Sequence, residues 1–249
     1  MLEQAILKAV DHAKKSCDFT VPSKERTFPL PMLDKVLWIN PNRLVIGNSK
    51  LDKILIFDLP AGDILNNGSC HNCKSCVSTC YALPQQIQYP NTMVFRLVNL
   101  YLLKHHELRL KTLIKQQIKK SKYKTLRIHS SGDFYSQSEI DMWDSIVSEN
   151  SDLNFYAYTK VDKMFSFETI ESRKNFNLIR SIIEEKYLNY GSMDYIKRIA
   201  EKVDGFICPA TTGKDIKCNR ECSYCVTGDK ALFLIHGSNA KKLKKKKVA

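Results

Sequence analysis

Eight of the nine cysteines fall into two groups of four. The first, Cys70-His-Asn-Cys73-Lys-Ser-Cys76-Val-Ser-Thr-Cys80, is a C-x2-C-x2-C-x3-C run. Closely spaced thiolates of this kind wrap an iron–sulfur cluster in bacterial ferredoxins, whereas zinc usually draws on two separated pairs. The proline that commonly follows the last cysteine is replaced by Tyr81. The second group is Cys208-Pro, then Cys218-Asn-Arg-Glu-Cys222-Ser-Tyr-Cys225. With Cys208 as a fourth ligand it reads as a closed site, either an auxiliary iron–sulfur cluster or structural zinc. Cys17 has no thiol neighbour in sequence and reads as a small core residue.

Compartment decides what such thiols do. Glu3 and Asp11 interrupt the first fifteen residues, so no secretory apolar run is expected there. The most apolar stretch, Met93–Leu103, contains Arg96 and Asn99 and falls short of the ~20 apolar residues of a membrane span. The expectation is a cytoplasmic protein away from the membrane, where clustered cysteines bind metal more often than they form disulfides. The 249 residues are 43% hydrophobic and 10% aromatic, which excludes global disorder.

The elements that must position the thiols can be read from periodicity. Residues 3–15 form an amphipathic helix, followed by a proline-rich link. Val36–Ile39, Arg43–Ile46 and Lys53–Leu59 read as a small antiparallel meander. The first cysteine loop, Asn66–Cys80, precedes one long helix over Asn91–Lys120, with Leu97, Leu100, Leu103, Leu110 and Leu113 near helical spacing. Then strands and helices alternate: Lys124–His129, Gln137–Glu149 capped by Ser136 or Ser138, Leu153–Tyr158, helices at Glu168–Tyr187 and Met193–Lys202, and short strands at Gly205–Ile207 and Ala231–Ile235. This predicts an α/β fold with a mostly parallel sheet. The expected division is a helix and linker over 1–35, one α/β domain over 36–240 carrying both cysteine loops, and a disordered basic tail over 241–249.

Parallel α/β folds gather ligands at the carboxyl ends of their strands. The predicted strands end at His129-Ser130-Ser131-Gly132-Asp133, at Thr159-Lys160, at Cys208 and at His236-Gly237-Ser238, all rich in polar or metal-binding groups. The plain alternatives are that Asp133 caps the following helix and that Lys160 is a solvated charge.

Cys76-Val-Ser-Thr-Cys80-Tyr-Ala82, Leu126–Ser136, Phe155-Tyr-Ala-Tyr-Thr-Lys160, the closing cysteines and His236-Gly-Ser together resemble the phage and plasmid "gene product eighty-eight" family, over roughly residues 43–238. The chain is more distantly similar to radical S-adenosylmethionine proteins, in which a Cys…Cys…Cys-Tyr-Ala loop precedes a partial barrel. The C-x3-C-x2-C of the second group matches that signature too, but stands late in the chain, 24 residues from its end. The resemblance implies a partial TIM-like barrel on which Cys70, Cys76 and Cys80 hold an open 4Fe-4S cluster, Cys73 being supernumerary. It further implies S-adenosylmethionine bound by Ser130, Ser131, Gly132, Asp133 and Thr159, with Asp133 and Lys160 acting on cofactor or substrate. The first loop departs from the C-x3-C-x2-C spacing, which leaves room for a relative that does not cleave the cofactor.

The formal charge is +13, six lysines of it in the tail Lys241–Lys247. Residues 96–127 hold ten Lys/Arg against Glu107 alone, a basic stripe able to meet phosphates. One alternative is therefore a metalloprotein that binds nucleic acid without sequence readout through 96–127 and 241–247, its thiol sites being structural. Another is a ferredoxin-like electron carrier. An iron–sulfur enzyme would also need a protein reductant as partner.

Overall fold

The computed structural model describes residues 1–16, 28–32, 35–47, 51–77, 80–181, 193–212, 214, 216–218, 221–228 and 230–233. Helix α1 (Leu2–Ser16) precedes a hairpin of β1 (Phe28–Met32) and β2 (Lys35–Ile39). Strands β3 (Val45–Ile46) and β4 (Leu55–Phe57) follow, then helices α2 (Ala82–Gln88), α3 (Pro90–His105) and α4 (Glu107–Lys120). The alternating half is β5 (Thr125–Ile128), α5 (Gln137–Glu149), β6 (Asn154–Thr159), α6 (Glu168–Glu171) and β7 (Phe176–Arg180). It closes with α7 (Met193–Val203), β8 (Phe206–Ile207), α8 (Tyr224–Thr227) and β9 (Ala231–Leu232).

The main sheet has five strands in the order β3-β4-β5-β6-β7. β3 is antiparallel to β4, and β4 through β7 are parallel and adjacent in chain order. Successive side chains of a strand point to opposite faces. Leu55, Phe57, Leu126, Ile128, Phe155, Ala157, Phe176 and Leu178 thus enter the main core with α1, α3 and α5. The register aligns Ile56, Arg127, Tyr156 and Asn177 as one row across the other face. α1, α3 and α5 pack on the first face, while α8 and the second cysteine loop lie against the other.

α1 lays Leu2, Ile6, Val10 and Ala13 along α3, at the spacing of one helical face. α5 begins at Ser136, whose Oγ accepts from the Glu139 backbone N–H, while the Glu139 carboxylate accepts from the Tyr135 N–H at 2.7 Å. This is a capping box displaced by one residue.

Four expectations need correction. The helix expected over 91–120 is two helices, broken at His106 (φ −146°, ψ 47°). α3 is enclosed from Leu97 through Leu103, whereas α4 buries only Leu110, Ile114 and Ile118, so the two need different orientations. The helix expected from Glu168 to Tyr187 ends at Glu171 and gives way to strand β7. Asn175 fixes that turn by donating to the carbonyls of Val147, Asn150 and Leu153. The meander is split: β1 and β2 pair only with each other, and β4 is also the first parallel strand. β8 and β9 form a separate parallel pair, so Cys208 does not end a strand of the main sheet. Cys17, His236-Gly237-Ser238 and the lysine tail lie outside the described residues.

Candidate metal centres

The first cysteine loop lies over the carboxyl ends of β4 and β5. After β4 the chain turns through Gly62 (φ +118°), and the Asp63 carboxylate caps a short turn by accepting from the Leu65 N–H at 2.8 Å. The Cys70 N–H returns to the Gly62 carbonyl, and the Ser69 hydroxyl donates to the Pro60 carbonyl at 3.0 Å. A single turn brings the Cys76 N–H to the Cys73 carbonyl. His71 anchors the outer side: its Nε2 is 2.7 Å from the Tyr135 carbonyl and its ring meets Phe165 edge-on. On the other side the Tyr81 hydroxyl donates to the Ser130 carbonyl.

All four cysteines of this loop stand outside any disulfide and are half-buried. Burial pushes Cys70 up to about 12; a backbone hydrogen bond at Gly62 opposes it, while Asp133, Cys76 and Cys73 add to it. Burial also raises Cys73, followed by the charges of Cys76, Asp63 and Cys80. The four thiols are thus electrostatic neighbours whose mutual repulsion a bound cation would relieve.

Beneath the loop the strand-end residues are tied to one another. Asp58, directly after β4, accepts from the Ser130 hydroxyl at 2.8 Å and the Ser131 N–H at 2.9 Å, and pairs with Arg96 at 3.0 Å in the interior. Asn99 donates to the Asp58 carbonyl and accepts from Arg43. Asp133 is buried; its carboxylate accepts from the Thr159 hydroxyl at 2.8 Å and from the Lys160 and Phe134 N–H groups at 2.9 Å. The Asp133 N–H in turn donates to Ser69. Behind them His129 (φ +60°) lies 3.0 Å from the fully enclosed Glu139. The edge anticipated at Ser130, Ser131, Gly132, Asp133 and Thr159 therefore exists as one structure. Its carboxylate faces inward, and Lys160 contributes its backbone to it. Of the predicted groups, the Ser131 hydroxyl is buried with no partner among the described residues.

The second cysteine loop packs on the opposite face of the sheet. Cys218 and Cys225 rest on the small apolar cluster of Ile54, Ile56 and Tyr156. Asn177 donates to the carbonyls of Cys225 and Gly228 at 3.0 and 2.7 Å, and the Tyr158 hydroxyl donates to Cys225 Sγ at 2.8 Å. Cys208, Cys218, Cys222 and Cys225 all line one apolar cavity of about 20 Å³ with Ile54 and Tyr156. That is the room of about one water molecule. Burial pushes Cys218 up to about 11, with Cys225, Cys208 and Cys222 adding and Arg127 easing it. Cys208 and Cys225 are raised first by burial as well, and Tyr158 and Arg127 pull Cys225 back.

Among the described residues no group of three or more His, Cys, Asp or Glu is arranged to hold a metal ion as it stands. The donor chemistry fits nonetheless: each loop gathers four cysteines outside any disulfide, the ligand type that zinc and iron–sulfur clusters take. Sequence reasoning missed Asp58, Arg96, Tyr81, Arg127 and Tyr158. Tyr81 had a signal, since it stands next to Cys80 in the loop.

The basic segment is less exposed than its composition suggests. Arg96 is enclosed, and Arg127 lies on the face covered by the second loop. Lys111 donates to Ser145, Lys115 pairs with Glu149 and Lys124 with Asp152. Lys104 lies over the Tyr135 ring at 5.2 Å. Among the described residues no helix is long and apolar enough to cross a membrane.

These features define an α/β protein with a mostly parallel sheet, one four-cysteine loop over its carboxyl edge and another packed against the face opposite the main core. The chain belongs to the family described as Gene product 88, whose profile matches residues 38–247. It is similar to the Gene 88 protein of Mycobacterium phage D29, at 25% identity over 140 residues covering 48% of this chain and 58% of that one. It is also similar to the Gene 88 protein of Mycobacterium phage L5, at 27% identity over 124 residues covering 42% and 52%. The chain thus spans about half the length of the curated relatives it matches. No solved structure matches it.

Proposed function

We propose that the chain is an iron–sulfur protein whose mostly parallel sheet is a partial barrel of the radical S-adenosylmethionine type. The observation that carries the reading is the position of the first loop: four cysteines over the carboxyl ends of adjacent parallel strands, where such folds gather their ligands. Parallel strands adjacent in chain order are also the arrangement of a barrel segment.

In this reading Cys70, Cys76 and Cys80 hold the cluster and Cys73 is spare. When bound, the cluster would supply single electrons for reductive cleavage of S-adenosylmethionine. Asp133 and Thr159 act as positioners, joining the ends of β5 and β6 under the loop, and Asp58 does the same through Ser130 and Ser131. Lys160 is the group left to meet an anionic part of cofactor or substrate, because only its backbone is engaged by Asp133.

At the second loop the four cysteines suit an auxiliary iron–sulfur cluster or a single tetrahedral zinc ion. Anaerobic purification is expected to give a brown protein with iron and sulfide at one cluster or more per chain. A colourless protein carrying zinc alone would remove the reading. Given reductant and S-adenosylmethionine, 5′-deoxyadenosine is expected from the wild type and not from Cys76→Ala. Absence of that product from an intact brown protein would leave an iron–sulfur protein without the enzymatic step.

A further inference from the structure

Arg127 is the one charged residue in the row that crosses the face of the sheet opposite the main core, between Ile56 and Tyr156 in register. Its guanidinium lies 5.0 Å from the Tyr158 ring centre and 6.0 Å from that of Tyr156. Its Nε is shut away from solvent with no hydrogen-bond partner among the described residues. The acid that acts on it, Asp58, has its carboxylate engaged by Ser130, Ser131 and Arg96. Drawing this cation partly out of water costs free energy, which the phenol rings beside it and the charge of Asp58 offset.

The second cysteine loop presents the opposite imbalance. Four thiolates around a divalent ion, or around an oxidised 4Fe-4S core, leave two net negative charges. The cavity that holds these thiols is lined mostly by apolar groups. The charge of Arg127 already reaches Cys218 and Cys225, and Tyr158 links the two features, with its ring against Arg127 and its hydroxyl on Cys225. Partners that neutralise and orient metal ligands from outside the coordination sphere contribute to affinity nearly as the ligands do.

We propose that Arg127 and Tyr158 are the charge and hydrogen-bond partners of a metal–thiolate centre formed by Cys208, Cys218, Cys222 and Cys225. This rests on the reading of that loop as metal-binding and holds for zinc or for a cluster. Both are positioning residues, acting through the thiolates. Arg127 then offsets one of the two net negative charges that the centre carries once the metal is in place.

The test is chelator-driven metal release from the full-length, metal-loaded chain. The phase due to the second loop is identified by its loss in Cys222→Ala. Arg127→Met, similar in length and uncharged, and Tyr158→Phe are each expected to weaken retention in that phase about 10- to 100-fold. The phase due to the first loop should be unchanged, and Arg127→Lys should recover most of the loss. After metal removal, Arg127→Met should unfold no earlier than the wild type, because the Arg127 charge then has no metal-bound thiolate to neutralise. A residue that merely fills space would instead destabilise both forms, and that result overturns the proposal. Unchanged release in both variants overturns it while leaving the metal site standing. A wild-type chain that holds no metal in either loop overturns the functional reading together with it.

Discussion

Asp58→Ala is expected to lower the stability of the folded chain by about 3–5 kcal/mol, the usual cost of removing one partner of a buried ion pair. Arg96 and Asp58 meet at 3.0 Å with side chains only 2% and 7% exposed. Among the described residues the Arg96 Nε and Nη1 have no hydrogen-bond partner, so the guanidinium would lose its compensating charge and keep only the Gln85 side chain as an acceptor. The same substitution removes the acceptor of the Ser130 hydroxyl and the Ser131 N–H. Since domains of this kind hold only about 5–15 kcal/mol in total, much of the variant should accumulate unfolded. Denaturant unfolding measures the loss. Adding Arg96→Met to Asp58→Ala should recover part of it, because the stranded charge is then absent. A loss below about 1 kcal/mol in the single variant would mean that the pair is not enclosed as described.

The consequence reaches the first cysteine loop. Tyr81, the residue after Cys80, donates its hydroxyl to the Ser130 carbonyl. Slackening the turn at Ser130 frees one side of the loop, while His71 still holds the other at Tyr135. Weaker metal retention in the first loop should therefore accompany whatever fraction of Asp58→Ala remains folded.

Much of this arrangement was legible from residue order. The spacing of the cysteines marked both loops, and the alternation of Leu126, Arg127 and Ile128, or of Phe155 and Ala157 with the tyrosines, marked β5 and β6. Ser136 or Ser138 marked the start of α5, and the structure takes Ser136. What escaped has physical causes. Asp58 was hidden inside a run read as one strand, Lys53–Leu59, which actually stops at Phe57 so that the carboxylate can turn under Ser130. β7 was hidden because Phe176, Leu178 and Ile179 extend the apolar spacing of the preceding helix, and the strand is selected by pairing with β6, a contact between distant residues. No proline or glycine marks the break at His106. Arg127 was counted with the surface lysines because a strand that alternates apolar and charged residues reads as half exposed. Its exposed side is in fact covered by a loop from the far end of the chain, and a local pattern carries no information about that cover.

Gly132→Ala carries the second large effect, and it separates two roles that the sequence left together. Gly132 was anticipated only as one of the residues that bind the cofactor. In the structure it has φ +81°, and a Cβ there would stand 2.4 Å from Ser69 Oγ and 2.9 Å from the Leu59 side chain and carbonyl. The position is thus filled by the protein itself, where the turn after β5 presses on the segment leading from β4 to Cys70. Left-handed backbone strain of about 1–2 kcal/mol and crowding of about 1–3 kcal/mol should combine to a loss of roughly 2–5 kcal/mol. Ser69 would have to move, and it both accepts from the Asp133 N–H and immediately precedes Cys70. Metal retention should accordingly fall in the first loop and persist in the second, which is anchored on the other face through Asn177 and Tyr158. If Gly132 instead kept space open for a ligand, alanine would leave unfolding unchanged and weaken only that ligand. Unfolding and two-phase metal release, measured on one preparation, therefore distinguish a glycine that packs the site from a glycine that admits something to it.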